Sequence, residues 1–159
     1  MDKLLSAFFY FFYYLMYKKK YNLPKDFRFN GYFIRIRGNG KIIAGKNCYI
    51  SFFSYINLGE NSTLKLGNNV SIGHNIKIYT SSFDSKEKIL FNNSTSHSSD
   101  IEIGNNVLIG ANCFIMPGTK IDDNVIIGAN SVVIGNVFGN SVYSGNPAVL
   151  INRFEDVKK

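Results

Sequence analysis

Residues 101–133 read IEIGNNVLIGANCFIMPGTKIDDNVIIGANSVV, and one period runs through them. Ile103, Ile109, Ile115, Ile121, Ile127 and Val133 follow one another at intervals of six without exception. Two residues before each stands Ile101, Val107, Cys113, Thr119, Val125 or Ser131, always apolar or small. Gly follows the main apolar position at Gly104, Gly110 and Gly128. A period of six fits neither a helix nor an uninterrupted strand, whose periods are about 3.6 and about 2. It fits a short strand and a tight turn, repeated. Three such units close one triangular coil, and stacked coils bury an aliphatic ladder on each side. No single coil buries that ladder alone, so the repeats are expected to fold as a stack: an all-β, parallel β-helix. Gly and Asn at the corners supply positive φ at little steric cost.

Upstream, the same unit recurs as Leu66-Gly67-Asn68-Asn69-Val70-Ser71 and Ile72-Gly73-His74-Asn75-Ile76-Lys77, with Ile78 opening another. Weaker copies include Ile50, Ile56 and Leu58 and reach back to the Ile42-Ile43 region. Between the two blocks lies an interruption from about Ser81 to Asp100, SSFDSKEKILFNNSTSHSSD. Loops held by rigid scaffolds are where catalytic groups collect. Of the chain's two histidines, His97 lies in this interruption and His74 at a regular corner, where solvated polar residues are the ordinary occupants. The organisation read from these features is a helical segment over 1–25, a β-helix domain over 26–153 with its loop at 81–100, and a tail over 154–159.

The N-terminal stretch Leu4 to Tyr17, LLSAFFYFFYYLMY, runs directly into Lys18-Lys19-Lys20. It is shorter than the ~20 residues needed to span a bilayer. Its positive cluster follows the apolar run and no small-residue cleavage site appears, so it reads poorly as a secretory signal. Two roles fit. One is a helix packed on the body or on a neighbouring subunit. The other is an interfacial helix at a membrane, with lysines on anionic phosphates. The expected location is the cytoplasm, with residues 1–20 at the inner face of the plasma membrane under the second role.

The 159 residues carry a net charge of +7, much of it in Lys18, Lys19, Lys20, Lys25, Arg28, Arg35 and Arg37. No basic helix, zinc-finger spacing or RNA-binding sheet motif accompanies these charges, so no nucleic-acid partner is expected. No cluster of residues with metal-ligand spacing stands out, and no metal is expected. Cys48 and Cys113 occupy small inward positions of the repeat and read as buried free thiols. Asn61-Ser62-Thr63 and Asn93-Ser94-Thr95 match the glycosylation acceptor pattern and read, without a secretory signal, as ordinary repeat and loop residues.

Three segments carry a family resemblance: Ile101 to Gly118, Ile121 to Val133, and Ser144 to Ile151, SGNPAVLI. They resemble the hexapeptide-repeat acyltransferases, and within them the maltose, galactoside and nodulation-factor O-acetyltransferases and related capsule and O-antigen enzymes. The resemblance covers about Leu64 to Arg153. It implies a left-handed β-helix, a homotrimer, acetyl-CoA in the groove between adjacent helices, and a sugar or saccharide acceptor in polysaccharide biosynthesis. It implies a histidine as general base, because a sugar hydroxyl is too weak an acid to attack a thioester unaided. Gly110, Ala111, Gly128, Ala129 and Ser131 would line the pantetheine slot. Gly145, Pro147 and Ala148 would close it, and Arg153 would pair with a phosphate at the nucleotide end.

The pattern departs where the base is expected. In the sugar O-acetyltransferases a segment like Y-T-x-x-H-P opens the loop. Here Tyr79-Thr80-Ser81-Ser82-Phe83-Asp84 puts Phe83 at the histidine's place. His97 resembles instead the histidine that some serine and polysaccharide acetyltransferases carry just before an I-x-I-G coil. It is the candidate base, and Asp84 is the candidate carboxylate to orient it or hold a sugar hydroxyl. Leu108 stands where the family commonly has Trp, and Ile134-Gly135-Asn136 where it has a polar stretch. The leading expectation is an acetyl-CoA-dependent sugar O-acetyltransferase. An amino-sugar N-acetyltransferase and a non-catalytic β-helix that has lost its base are the alternatives.

Overall fold

The computed structural model of the chain describes residues 2–93 and 95–154. Of the expected tail, only Phe154 is among them. The chain winds into a left-handed parallel β-helix of triangular section. The first face stacks Arg28–Asn30, Tyr49–Ser51, Ser71–Ile72, Leu108–Ile109, Val125–Ile127 and Ser141–Gly145. The second stacks Arg35–Gly38, Tyr55–Leu58, Lys77–Tyr79, Phe114–Ile115 and Val132–Val133. The third stacks Lys41–Ala44, Thr63–Leu66, Ile101–Ile103, Lys120–Ile121 and Asn136–Val137. Every pair within these stacks is parallel, and among the described residues the only strand added to a face against that sense is Ala148–Arg153, antiparallel to Ser141–Gly145.

The period of six has a direct structural cause. On the first face Ile50, Ile72, Ile109 and Ile127 lie in successive register and are buried. Ile56, Ile78, Ile115 and Val133 do the same on the second. Leu66, Ile103, Ile121 and Val137 do so on the third. Coil partners are 18 residues apart above the interruption and 37 across it, so the inserted stretch leaves the register of the stack untouched. Cys48 and Cys113 are buried and free, each donating its thiol to a carbonyl of the next coil, Gly67 and Gly128 respectively, at 3.1 Å. Burial pushes both thiols up, which holds them protonated.

The corner between the third and first faces is a ladder of asparagines. Asn47, Asn69, Asn106, Asn124 and Asn140 all adopt the left-handed conformation, with φ from 54° to 58°. Each of the first four donates its side-chain amide to the next one up, at 2.9–3.0 Å. Asparagine is therefore selected twice, for a backbone that resists ordinary side chains and for a side chain that both donates and accepts. Asn106→Ala removes both bonds and keeps the strained φ. It is expected to lower unfolding free energy by about 2 kcal/mol. Asn106→Gly, which relieves the φ, is expected to cost about half of that in the same denaturant titration.

At the corner between the first and second faces the upper coils again use asparagine, at Asn75, Asn112 and Asn130. The two lower coils do not. Phe33 and Phe53 hold φ of 58° and 62° there, and their rings stack at 5.6 Å.

The N-terminal segment is helical over Asp2–Phe9, widens into a π-helical turn at Tyr10–Tyr14, and continues as helix over Leu15–Lys20. Tyr14, Tyr17, Tyr21 and Leu23 are buried in one cluster with Phe27, Ile34 and Ile36. Tyr14 donates its hydroxyl to Gly31 O at 2.8 Å, and burial pushes that phenol up to about 12. The segment thus covers the open end of the first coil, as the terminus of any stacked repeat requires. Packing on the body accounts for this inner side alone. Leu4, Phe8, Phe12, Leu15 and Met16 point outward.

Candidate active site

The interruption leaves the body at the corner between the second and third faces. Thr80 anchors its root: the hydroxyl accepts from Gly59 N at 2.8 Å and meets Ser62 Oγ at 2.6 Å, while Ser99 N donates to Thr80 O at 2.8 Å. From there Ser81–Phe83 pairs antiparallel with Ser96–Ser98. The helix Ser85–Phe91 extends this hairpin, and none of its residues is buried.

His97 lies opposite Ser82, one residue along the strand from Phe83. Side chains alternate across a strand, so His97 and Ser82 share one side of the hairpin, and Ser81, Phe83, Ser96 and Ser98 the other. Ser81 and Ser98 rest against Gly59, whose missing Cβ would sit within 3.0 Å of both. His97 therefore faces away from its own β-helix. Its ring is exposed and, among the described residues, accepts and donates no hydrogen bond. The expected pairing with Asp84 is not formed. The Asp84 carboxylate caps the helix instead, accepting from Lys86 N at 2.9 Å and Glu87 N at 3.0 Å. A carboxylate held by two backbone amides has little left to orient an imidazole.

Under the other side of the hairpin lies a cleft of about 340 Å³. Ser81, Ser85 and Ser96 border it from the loop, and Tyr79, Phe114 and Met116 from the body. Its mix of hydroxyls over an apolar floor suits a polyhydroxylated ligand.

The small residues gather at the corner between the first and second faces. Gly110 and Gly128 stack there, with Gly110 N donating to Ile127 O and Gly128 N to Tyr143 O, both at 2.8 Å. Ala111 and Ala129 follow them, Asn130 N bonding to Ala111 O at 2.8 Å. Gly145, the cis-Pro147 and Ala148 turn the chain at the same corner, where Gly145 N donates to Ser131 Oγ at 3.0 Å. Ser131 is fully buried and donates to Gly128 O at 2.6 Å, so it ties the corner together from inside the coil. Arg153 does not join the group. The strand Ala148–Arg153 runs back across the first face and carries Arg153 about 17 Å from Ala148. It ends in an open cleft on the third face beside Lys65, Lys120 and Asp123.

One residue set aside in the sequence belongs to the small-residue corner. His74 sits one coil below Ala111, its carbonyl accepting from Asn112 N at 3.0 Å, with its ring stacked on Phe52 at 5.1 Å. The offset of 37 residues across the interruption is the signal that would have placed it there.

Residues 100–135 match the family model described as bacterial transferase hexapeptide (six repeats). A maltose O-acetyltransferase from Clostridium difficile 630 is 29% identical, over 98% of this chain and 85% of that one, with a TM-score of 0.73. The galactoside acetyltransferase solved in complex with coenzyme A is 26% identical, over 90% of this chain and 78% of that one, at 0.67. Over residues 100–135 the chain carries the repeats of the bacterial hexapeptide transferases, and its likeness to these enzymes makes it an acyltransferase. A third structure, a hexapeptide-repeat-containing acetyltransferase from Vibrio cholerae complexed with acetyl coenzyme A, shares the fold at 21% identity. It covers 90% of this chain and 76% of that one, with a TM-score of 0.73. Within this acyltransferase the two candidate halves sit at opposite edges of the second face. The His97 hairpin stands at one edge and the glycine–alanine corner at the other.

Proposed function

We propose that this acyltransferase moves an acetyl group from acetyl-CoA to a hydroxyl of a sugar or polysaccharide precursor, with His97 as the general base. The observation that carries the reading is His97 itself, an exposed imidazole on the outward side of a braced hairpin. The likeness to the maltose and galactoside enzymes supports the acceptor class, and the coenzyme A held by the latter supports the donor.

The chemistry follows from these parts. Neutral imidazole takes the proton of the acceptor hydroxyl as its oxygen attacks the thioester carbonyl. Backbone N–H groups at a coil corner steady the tetrahedral oxyanion. Collapse expels the thiolate, which recovers the proton from the imidazolium, leaving an ester and free CoA. His97 faces outward and the small-residue corner lies across the second face, so a site joining the two is completed by a second copy. We read the working form as a homotrimer, with each site in the groove between neighbouring prisms.

The test is thiol release. With acetyl-CoA and a panel of sugars, purified protein is expected to liberate CoA only with an accepting sugar, and mild base is expected to remove the acetyl group from the product. A base-stable amide would reassign the acceptor to an amino sugar. Absence of thiol release across neutral and amino sugars would overturn the transfer altogether.

A further inference from the structure

The charge of this protein is unevenly placed. Through Gly59 the chain has ten Lys and Arg against Asp2 and Asp26; from Glu60 onward it has eight against nine acids. The whole excess of +7 therefore belongs to the part of the chain that builds the capped end of the prism. Lys19, Lys20, Lys25, Arg35 and Arg37 are all exposed there.

The same end is apolar. Leu4, Phe8, Phe12, Leu15 and Met16 of the capping segment are 43–81% exposed, while Tyr14 and Tyr17 hold the inner side. Ring contacts carry this surface without a break from Phe12 through Phe8 and Phe9 to Phe33 and Phe53. Those last two rings are held at positive φ where the coils above use asparagine, and a bulky side chain pays strain in that conformation. Between the segment and the first coil lies a cleft of about 500 Å³ lined by Phe9, Tyr13, Tyr17, Phe33, Arg35 and Arg37. Among the described residues neither arginine has an ion-pair partner.

We propose that this end of the protein docks on an anionic lipid bilayer. The outer rings enter the boundary between headgroups and acyl chains, the lysines meet lipid phosphates, and the Arg35–Arg37 cleft takes a headgroup phosphate. No helix among the described residues is long and apolar enough to cross a membrane, so the apolar side lies in the interface. Aromatic rings flanked by lysines suit that environment, each cation contributing through the surface potential. A second copy of the same end is a poor occupant, because it would set one cationic surface against another. In a side-by-side trimer the ends of the prisms stay outside the contacts, and three docking surfaces face one way. The docking itself does not depend on the transfer reaction.

The experiment is co-sedimentation of the full chain with vesicles of phosphatidylcholine, alone or with added phosphatidylglycerol. Binding is expected only to the anionic vesicles, and is expected to fall as salt rises from about 0.1 M to about 0.5 M. A Phe8→Ser/Phe12→Ser/Met16→Ser variant and an Arg35→Gln/Arg37→Gln variant are each expected to bind about tenfold more weakly. Both leave Tyr14, Tyr17 and Tyr21 in place, and an unchanged melting temperature and assembly mass would show that the cap is intact. Equal binding to neutral vesicles, or undiminished binding by both variants, would overturn the proposal. So would a wild-type chain that ignores anionic vesicles while the apolar variant falls apart into monomers, which would assign the face to a subunit contact.

Discussion

His97→Ala is expected to lower kcat by about 10²–10⁴-fold while leaving the affinity for CoA unchanged. In barrier terms this is about 3–5 kcal/mol, the range of one positioned proton transfer. The substitution is structurally mild, because the ring is exposed and makes no hydrogen bond among the described residues. Steady-state kinetics together with a CoA titration separate the two effects. His74→Ala is the necessary companion, since His74 stands in the column of Ala111 and Ala129. If the loss of kcat falls on His74→Ala instead, the base is His74 and the hairpin serves another purpose. Asp84→Asn preserves a capping side chain and removes only charge, so it is expected to leave kcat unchanged. A loss matching that of His97→Ala would mean that Asp84 leaves its cap to join the imidazole during turnover. Placing a histidine at Phe83 in the His97→Ala background is expected not to restore activity. Phe83 sits across from Ser96, on the cleft side of the hairpin, and its ring lies under the Lys88 ammonium at 5.6 Å.

How far the sequence disclosed this arrangement depended on regularity. From Ile101 to Val133 each rung contributes one inward aliphatic at fixed spacing, so the ladder is visible as a period. The first coil hides because its inward residues, Phe29, Ile34, Ile36 and Ile42, are unevenly spaced and its corner carries Tyr32-Phe33 instead of Gly and Asn. The interruption was visible as a gap, and its internal pairing was not, because serine-rich strands give no alternation to read. The helix inside it was missed as well: Asp84, read in the sequence as a partner for His97, caps Ser85–Phe91 instead. The clustering of Gly110 with Gly128 and of Ala111 with Ala129 follows from the length of a coil. Arg153 escaped the same arithmetic because the chain reverses at cis-Pro147, and a strand running back no longer obeys the period.

The glycines and alanines at that corner pose a question that the fold and the chemistry answer differently, and paired substitutions separate the answers. A Cβ on Gly110 would sit 2.6 Å from Ala129 N and 2.9 Å from Ile127 O. Both are backbone atoms of the coil above, and Ile127 O already accepts the Gly110 N–H at 2.8 Å. Neither can swing aside as the tip of a long side chain would, so Gly110→Ala forces two coils apart at a point where they are hydrogen-bonded. The expected cost is about 1–3 kcal/mol, as for overpacking elsewhere. For a chain of this size that is a fall in melting temperature of about 3–10 °C. Ala129 is different, because its side chain is exposed at the same corner. Ala129→Val adds its methyl groups to the surface and is expected to leave the melting temperature near that of the wild type. If the pantetheine arm lies along this corner in the working assembly, the same variant raises KM for acetyl-CoA with kcat little changed, the signature of lost donor binding. An unaltered KM in Ala129→Val, beside a destabilised Gly110→Ala, would leave the small residues explained by coil packing alone and move the donor groove to another edge of the prism.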